Sequence, residues 1–546
     1  MFNSPNKRNL YLVVFSFLFL AFFAGPLSAT KPKKNKIVQR CLDKTLWKIK
    51  TFQPAQQKVT KLSLQSMLQM LLKRNPALAR ERLAVKQAQM DLLAAQGGFR
   101  FDLDLDLKLN RTTQPGGIQA FGQFAMETLS RGNVQIQGGV TLSKRFSAGT
   151  TMSVRLQQWW NSTDIRTRVL DQIGQENNRQ ILRADNMLQF SITQPLLQGA
   201  FLQVNLSPIW QAEEKVKMVR GQVARYVNNS VAMAVRAYWE LVYARRNIQI
   251  QKDAFTLARK QLDNTITLIE AGKLAPLECF QVRQVVAARQ GDLLVAYNAV
   301  AQAETQLRSL LYLPHDHKII PQDSFKGLKS IAVLTKLLET AEQENPDLWI
   351  AKHQLNISKK AELVAQNNTR PRLDVTGSFS LVGTASSSSD TGQANSPLGE
   401  SLGNLFDPRS HAFQIALVLK VPLDNRSANA RYQHSQISSD RARLQIRYLK
   451  RQLSNEIRQL YYAAMRARQR VPIARVARIW AQEKLKAEVS KRKLGKTTLF
   501  NVLRYQQDLA TSRLTEVRAL IDYQKAWVSL HEKIGTLPTH YNISRF

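Results

Sequence analysis

The sequence predicts a chain made of two materials, period-two β-strands and very long α-helices, laid out twice along its length. Three observations carry that expectation. Residues 101–110 alternate strictly, with Phe101, Leu103, Leu105, Leu107 and Leu109 on one face and Asp102, Asp104, Asp106, Lys108 and Asn110 on the other. No proline occurs between Pro208 and Pro276, and Leu241, Ile248, Phe255, Leu262 and Ile269 recur there every seven residues. The pair Asn75-Pro76 returns as Asn345-Pro346, followed by the same order of motifs.

Composition agrees with a folded chain. Of 546 residues, 44% are apolar and 22% charged, which favours a packed core over disorder. Two cysteines, Cys41 and Cys279, are too few for a disulfide framework or a cysteine-rich zinc site. Collagen, mucin and small disulfide scaffolds are excluded.

Lys7 and Arg8 precede the apolar run from Tyr11 to Phe23, which Gly25-Pro26 ends before Leu27-Ser28-Ala29. This order predicts a secretory signal peptide over residues 1–29. The run is shorter than the ~20 residues of a spanning helix. A basic segment, 30–61, follows. No later stretch of about 18 apolar residues exists, so no transmembrane helix is predicted. An exported chain of this kind is either soluble outside the cytoplasm or a membrane β-barrel, whose trace is segments of ~10 alternating residues.

Strand candidates follow in order. After 101–110 comes a weaker hairpin at 134–158, turning near Ser147-Ala148-Gly149. Leu188, Phe190 and Ile192 alternate with Gln189, Ser191 and Thr193; Leu373, Val375, Phe379 and Leu381 alternate with polar neighbours; Phe413, Ile415, Leu417 and Leu419 form another apolar row. Such strands fit a membrane barrel and equally a half-buried sheet of a soluble protein. Segments 111–132 and 384–399, rich in small and polar residues, are expected as exposed loops.

The helices come next. Ala244, Gln251, Ala258 and Thr265 stand three residues after each heptad leucine, isoleucine or phenylalanine, and small residues there let helices approach. A second helix is expected from Pro276 to Leu313-Pro314. Near the C-terminus Ala510, Leu514, Val517, Ile521 and Val528 repeat the three-to-four spacing. Gly272-Lys273 and Gly495-Lys496 break the long helices at matching places. The chain therefore divides into a first repeat, 62–320, a second repeat, 321–537, and a tail, 538–546.

Four groups invite chemical readings. Gly495-Lys496-Thr497-Thr498 looks like the end of a phosphate-binding loop, but the position that needs its first glycine holds Ser490, and a helix-to-helix turn is the better reading. Asp102, Asp104 and Asp106 look like the start of a calcium loop, but Leu107 and Thr113 stand where glycine and glutamate are needed. His315-Asp316-His317 offers two ligands and no evident third, so no metal site is expected. The net charge of +38, or +36 without residues 1–29, raises nucleic-acid binding. Export argues against it, and Arg441, Arg443, Arg447, Lys450 and Arg451 spread their charge along a helix rather than in a tail. No catalytic site, cofactor or nucleic-acid partner is expected.

The two Asn-Pro helix starts, Ser191 to Gly199, Ala237-Tyr238-Trp239-Glu240-Leu241-Val242, and the run from Gly495 through Leu503, Leu509, Tyr523 and Leu530 to Gly535-Thr536-Leu537 resemble the TolC family of outer-membrane efflux proteins. The resemblance covers about residues 62–537. It implies a homotrimer in which each chain gives about four strands to one membrane β-barrel, continued by a hollow α-helical barrel across the periplasm. The hairpin at 134–158 is additional to that pattern. The implied function is the outer-membrane exit duct of a tripartite efflux or type I secretion system, a passive conduit for drugs or proteins. Its partners would be a periplasmic adaptor, an inner-membrane pump and outer-membrane lipid.

Site residues follow from the same resemblance. Gly272, Lys273, Leu494, Gly495 and Lys496 mark the periplasmic tips that meet the adaptor. Glu278, Asn501 and Arg504 stand at the inner gate, where Asn501 and Arg504 occupy positions that are acidic in the best-known type of member. The implied entrance is less selective for cations than an acidic gate, unless Arg504 pairs with a carboxylate such as Glu278. Asp102, Asp104 and Asp106 would line the barrel lumen. The competing class is a coiled-coil surface or structural protein of the cell envelope without a pore, which would have no use for paired alternating strands.

Overall fold

A computed structural model describes residues 58–543 except 122–123, 170–175, 315–316, 324–326 and 391–393. The expected leader, 1–29, lies outside the described residues, as does nearly all of segment 30–61. By contacts the chain forms two units: one joins Ala55–Gln251 to Leu294–Phe546, and the described part of the other is Lys252–Leu293.

The larger unit carries one antiparallel sheet. Its strands are β2 (Phe101–Pro115), β3 (Ile118–Phe121), β4 (Phe124–Arg145), β5 (Thr151–Val169), β6 (Glu176–Pro195), β8 (Arg372–Ser389) and β9 (His411–Lys420). The order is β2-β4-β5-β6-β8-β9, with β3 paired to β4 off this path. Expecting about four strands per chain was therefore too few. The hairpin at 134–158 is real, lies inside the sheet rather than beside it, and turns where Gly149 takes φ +92°.

Segments 111–132 and 384–399 also need correction. Residues 111–115 continue β2, β3 and the start of β4 occupy much of 118–132, and β8 runs to Ser389. Their residues lack alternation because both faces of these strand ends stand away from the apolar rows described below. Within 384–399 a short helix, α8 (Leu398–Asn404), begins.

A second, two-stranded sheet pairs β1 (Lys58–Leu62) in parallel with β7 (His317–Pro321). Each Asn-Pro pair starts a helix as expected. Asn75 caps α2 (Pro76–Gly97), its Oδ1 accepting from Ala77 N at 2.9 Å and Leu78 N at 3.2 Å. Asn345 caps α7 (Pro346–Asn367), accepting from Leu348 N at 3.0 Å. Both helices have proline at the first turn, where its missing N–H costs nothing. Each follows a short amphipathic helix, α1 (Leu64–Arg74) and α6 (Leu334–Glu344).

After α3 (Leu202–Asn205) the long helices are α4 (Ser207–Glu270), α5 (Leu277–Leu311), α9 (Arg426–Lys493) and α10 (Leu499–Ile534); α11 (Leu537–His540) follows. No helix among the described residues is long and apolar enough to cross a membrane. The core of the larger unit gathers Val231, Val235, Tyr238 and Leu241 of α4 against Leu71 of α1, Leu307 of α5 and Val528 of α10. Tyr238 donates from its hydroxyl to Asp323 Oδ2 at 2.8 Å, and the same oxygen accepts from Leu64 N, so one carboxylate ties α4 to the start of α1.

In the smaller unit Ala258, Leu262, Thr265, Cys279, Val282 and Val286 are buried. The first three follow the heptad seam.

Candidate functional site

Strand pleating sorts the large sheet into two faces. One level of the first face reads Leu103, Leu142, Val154, Phe190, Phe379 and Phe413 across all six strands. The level beside it on the opposite face reads Asp104, Thr141, Arg155, Gln189, Ser380 and Ala412. A sheet with one apolar and one polar face, the apolar one left exposed, is the pattern of a strand wall between lipid and water.

The apolar residues of the inner strands are about two-fifths exposed, for example Val140 at 41% and Phe190 at 44%. Those of β2 and β9 reach 80% at Leu107 and 69% at Phe413. The excess belongs to the two edges, where no neighbouring strand covers the flank. Above the apolar rows the same face is covered instead: Asn186 Nδ2 donates to Ser401 Oγ at 2.7 Å, and α8 lies against Gly383.

On the polar face Asp102, Asp104 and Asp106 stand in a line. Asp106 meets Arg155 of β5 at 3.5 Å. Gly139 leaves the room: a Cβ there would lie 2.5 Å from Asp106 Oδ1. Arg155 was not singled out from sequence, because only the register of β4 with β5 brings it beside Asp106. One of the three acids in this line therefore stands beside a base.

In the smaller unit Gly272 takes φ +69°, with Lys273 N bonded to Leu268 O at 2.8 Å. In the larger unit Gly495 takes φ +71°, and Lys496 N reaches Lys491 O at 3.0 Å. Both turns close by the same six-to-one hydrogen bond, with glycine at the left-handed position. This is the turn geometry expected for Gly495-Lys496-Thr497-Thr498. Leu494 is 70% exposed beside its glycine. Lys273 and Lys496 are exposed as well.

Glu278 lies in the first turn of α5, where the helix dipole favours an acid. On α10, Asn501 donates to Thr497 Oγ1 at 3.2 Å, and Thr497 donates in turn to Glu488. Asn501 thus braces the Gly495 turn, a role not foreseen from sequence. Arg504 is exposed one turn further along.

A cluster that no motif announces sits where α10 meets α11. Lys329 Nζ lies 3.9 Å from the Trp527 ring centre and 4.7 Å from that of Tyr541. His531 packs on Trp527 and His540. Burial pushes the His531 imidazole down to about 3, with His540 and Lys329 adding repulsion. Among the described residues no group of three or more His, Cys, Asp or Glu could hold a metal ion. Of His315-Asp316-His317, only His317 is described, within β7.

Comparison with known proteins points the same way. Residues 337–536 match the outer membrane efflux protein family. The outer membrane protein TolC of Vibrio cholerae serotype O1 is 22% identical over 335 residues, 60% of this chain and 72% of that protein. A membrane protein from Pseudomonas aeruginosa superposes with a TM-score of 0.61 at 17% identity, covering 86% of this chain and 90% of the other. The CmeC outer membrane channel of Campylobacter jejuni superposes at 0.57 with 13% identity, covering 87% and 86%. These superpositions show the TolC-like fold.

Proposed function

We infer that this chain, TolC-like and matching the outer membrane efflux protein family over residues 337–536, is the outer-membrane exit duct of an efflux or secretion assembly. It would act as a homotrimer and do no chemistry of its own. The observation that carries the reading is the apolar face running unbroken across six strands, backed by a polar face, in a chain that also carries α4, α5, α9 and α10. A lipid-facing wall accounts for the exposed leucines and phenylalanines; a surface coiled coil without a pore leaves them unexplained.

In this reading residues 62–320 and 321–537 are two copies of one repeat, and the helices form the periplasmic conduit. The turns at Gly272-Lys273 and Leu494-Gly495-Lys496 are the tips that meet the adaptor and, through it, the inner-membrane pump. Outer-membrane lipid surrounds the apolar face. The exposed, left-handed glycines and the bare Leu494 side chain support the docking role, since an apolar side chain beside a tight turn is costly to leave in water.

The test is fractionation followed by export. The protein should sediment with outer membranes and run as a trimer in detergent. Gly495→Val should leave it there while abolishing export. Nothing lies within 4 Å of a Cβ built on Gly495, so the change costs only the ~1–2 kcal/mol of a left-handed side chain. Normal export by that variant at normal abundance removes the docking role. A stable monomer removes the duct itself.

A further inference from the structure

The sheet has two free edges, and what it places on them says what covers them. Six antiparallel strands in the order β2-β4-β5-β6-β8-β9 leave β2 and β9 running in opposite directions. A second copy of the same sheet can therefore continue the ladder, its β2 antiparallel to β9, with apolar and polar faces kept in line. The hairpin β4–β5 is paired on both flanks, so it adds two strands without changing that parity.

The apolar rows also fix the register of the seam. Followed strand by strand, Leu105 of β2, the middle of its row from Phe101 to Leu109, stands level with His411 of β9. The apolar row of β9 is centred near residue 416, between Phe413 and Leu419. The belt thus shifts by about five residues over five strand-to-strand steps, the stagger that tilted barrel strands require. One further step of the same size sets Leu105 of one copy beside Leu417 of the partner subunit. Asp102 then faces Lys420 of the partner subunit, an opposite-charge pair at the end of the seam.

We propose, resting on the trimeric duct reading, that three copies pair β2 to β9 in this register and close an 18-stranded barrel, with the β4–β5 hairpin part of its wall. Four strands per chain would give twelve. With strands ~4.8 Å apart and tilted ~40°, eighteen close at about 36 Å between opposite backbones and twelve at about 24 Å. The cross-section rises about twofold, into the range in which barrels hold an open aqueous channel.

Two measurements on the full-length protein in outer membranes test this. The double variant Asp104→Cys/Val418→Cys, oxidised in membranes, should link copies into dimers and trimers, while each single variant stays unlinked. Electron microscopy of the wild-type trimer should show a barrel about 36 Å across. A trimer with a barrel of about 24 Å overturns the proposal and leaves the duct reading standing. Linkage of Asp104→Cys with Gln414→Cys but not with Val418→Cys overturns the seam register. A protein that is monomeric in detergent fails the duct reading itself.

Discussion

Gly383 shows how one residue can hold an element in place. A Cβ there would lie 2.2 Å from Ser401 O and 2.4 Å from Leu405 N, backbone atoms that cannot swing aside. Gly383→Ala should cost about 1–3 kcal/mol by overpacking. It should also lift α8 from the sheet, read as faster cleavage between residues 394 and 410 by protease added to the purified protein.

His531 is held neutral in the fold, with a folded pKa of about 3 against an ordinary 6.5. Its contribution to stability is full above pH 6.5 and is lost as pH falls toward 3, because the unfolded chain binds the proton first. Thermal midpoints between pH 7.5 and 4 should fall, and His531→Gln should flatten that slope. Arg504 belongs to the same scale. If three copies face a common constriction, Arg504→Asp should shift the reversal potential of the reconstituted channel toward cations and sharpen block by polyvalent cations. An unchanged potential places the gate elsewhere.

At the scale of elements, the two Asn-Pro starts are alike in sequence and unlike in burden. Asn345 is buried, and besides capping α7 it donates from Nδ2 to Lys533 O at 2.8 Å, tying the helix start to the end of α10. Asn75 is buried too, but the hydrogen bonds described for its side chain are the two cap bonds alone. Asn75→Ala should cost about 1 kcal/mol and Asn345→Ala about 2, as thermal shift in detergent can measure.

Legibility followed the same physics. Where one face of a strand is apolar and the other polar, the sequence alternates, and Phe101 to Leu109 and Phe413 to Leu419 announced themselves. Beyond the apolar rows the requirement lapses, so Thr112-Thr113 and Ser386 to Ser389 read as loop although they pair in register. The turn glycines were legible because φ near +70° selects glycine. The pairing of Asp106 with Arg155 and the cluster of Lys329, Trp527 and His531 were not, since distant segments meet there and no local spacing encodes it. The basic surplus is partly local: α9 holds eighteen Lys and Arg against four Asp and Glu.

For the whole molecule, the order of strands along the chain sets an order of events. Strands β2, β4, β5 and β6 follow one another through short connections and can zip up as soon as they are made. The pairing of β6 with β8, from Gln180 with Ser389 to Pro195 with Asp374, must wait until α4, α5, α6 and α7 have been synthesised and the far half of the chain has returned. Closing so large a loop costs entropy before any contact rewards it, and such long-range pairing slows folding. Until β8 arrives, β6 is a bare edge like β2, beside rows of exposed leucine and phenylalanine, open to any passing strand. The newly made chain is therefore most prone to aggregate midway through its own synthesis, and it is then that it would most need a holding chaperone.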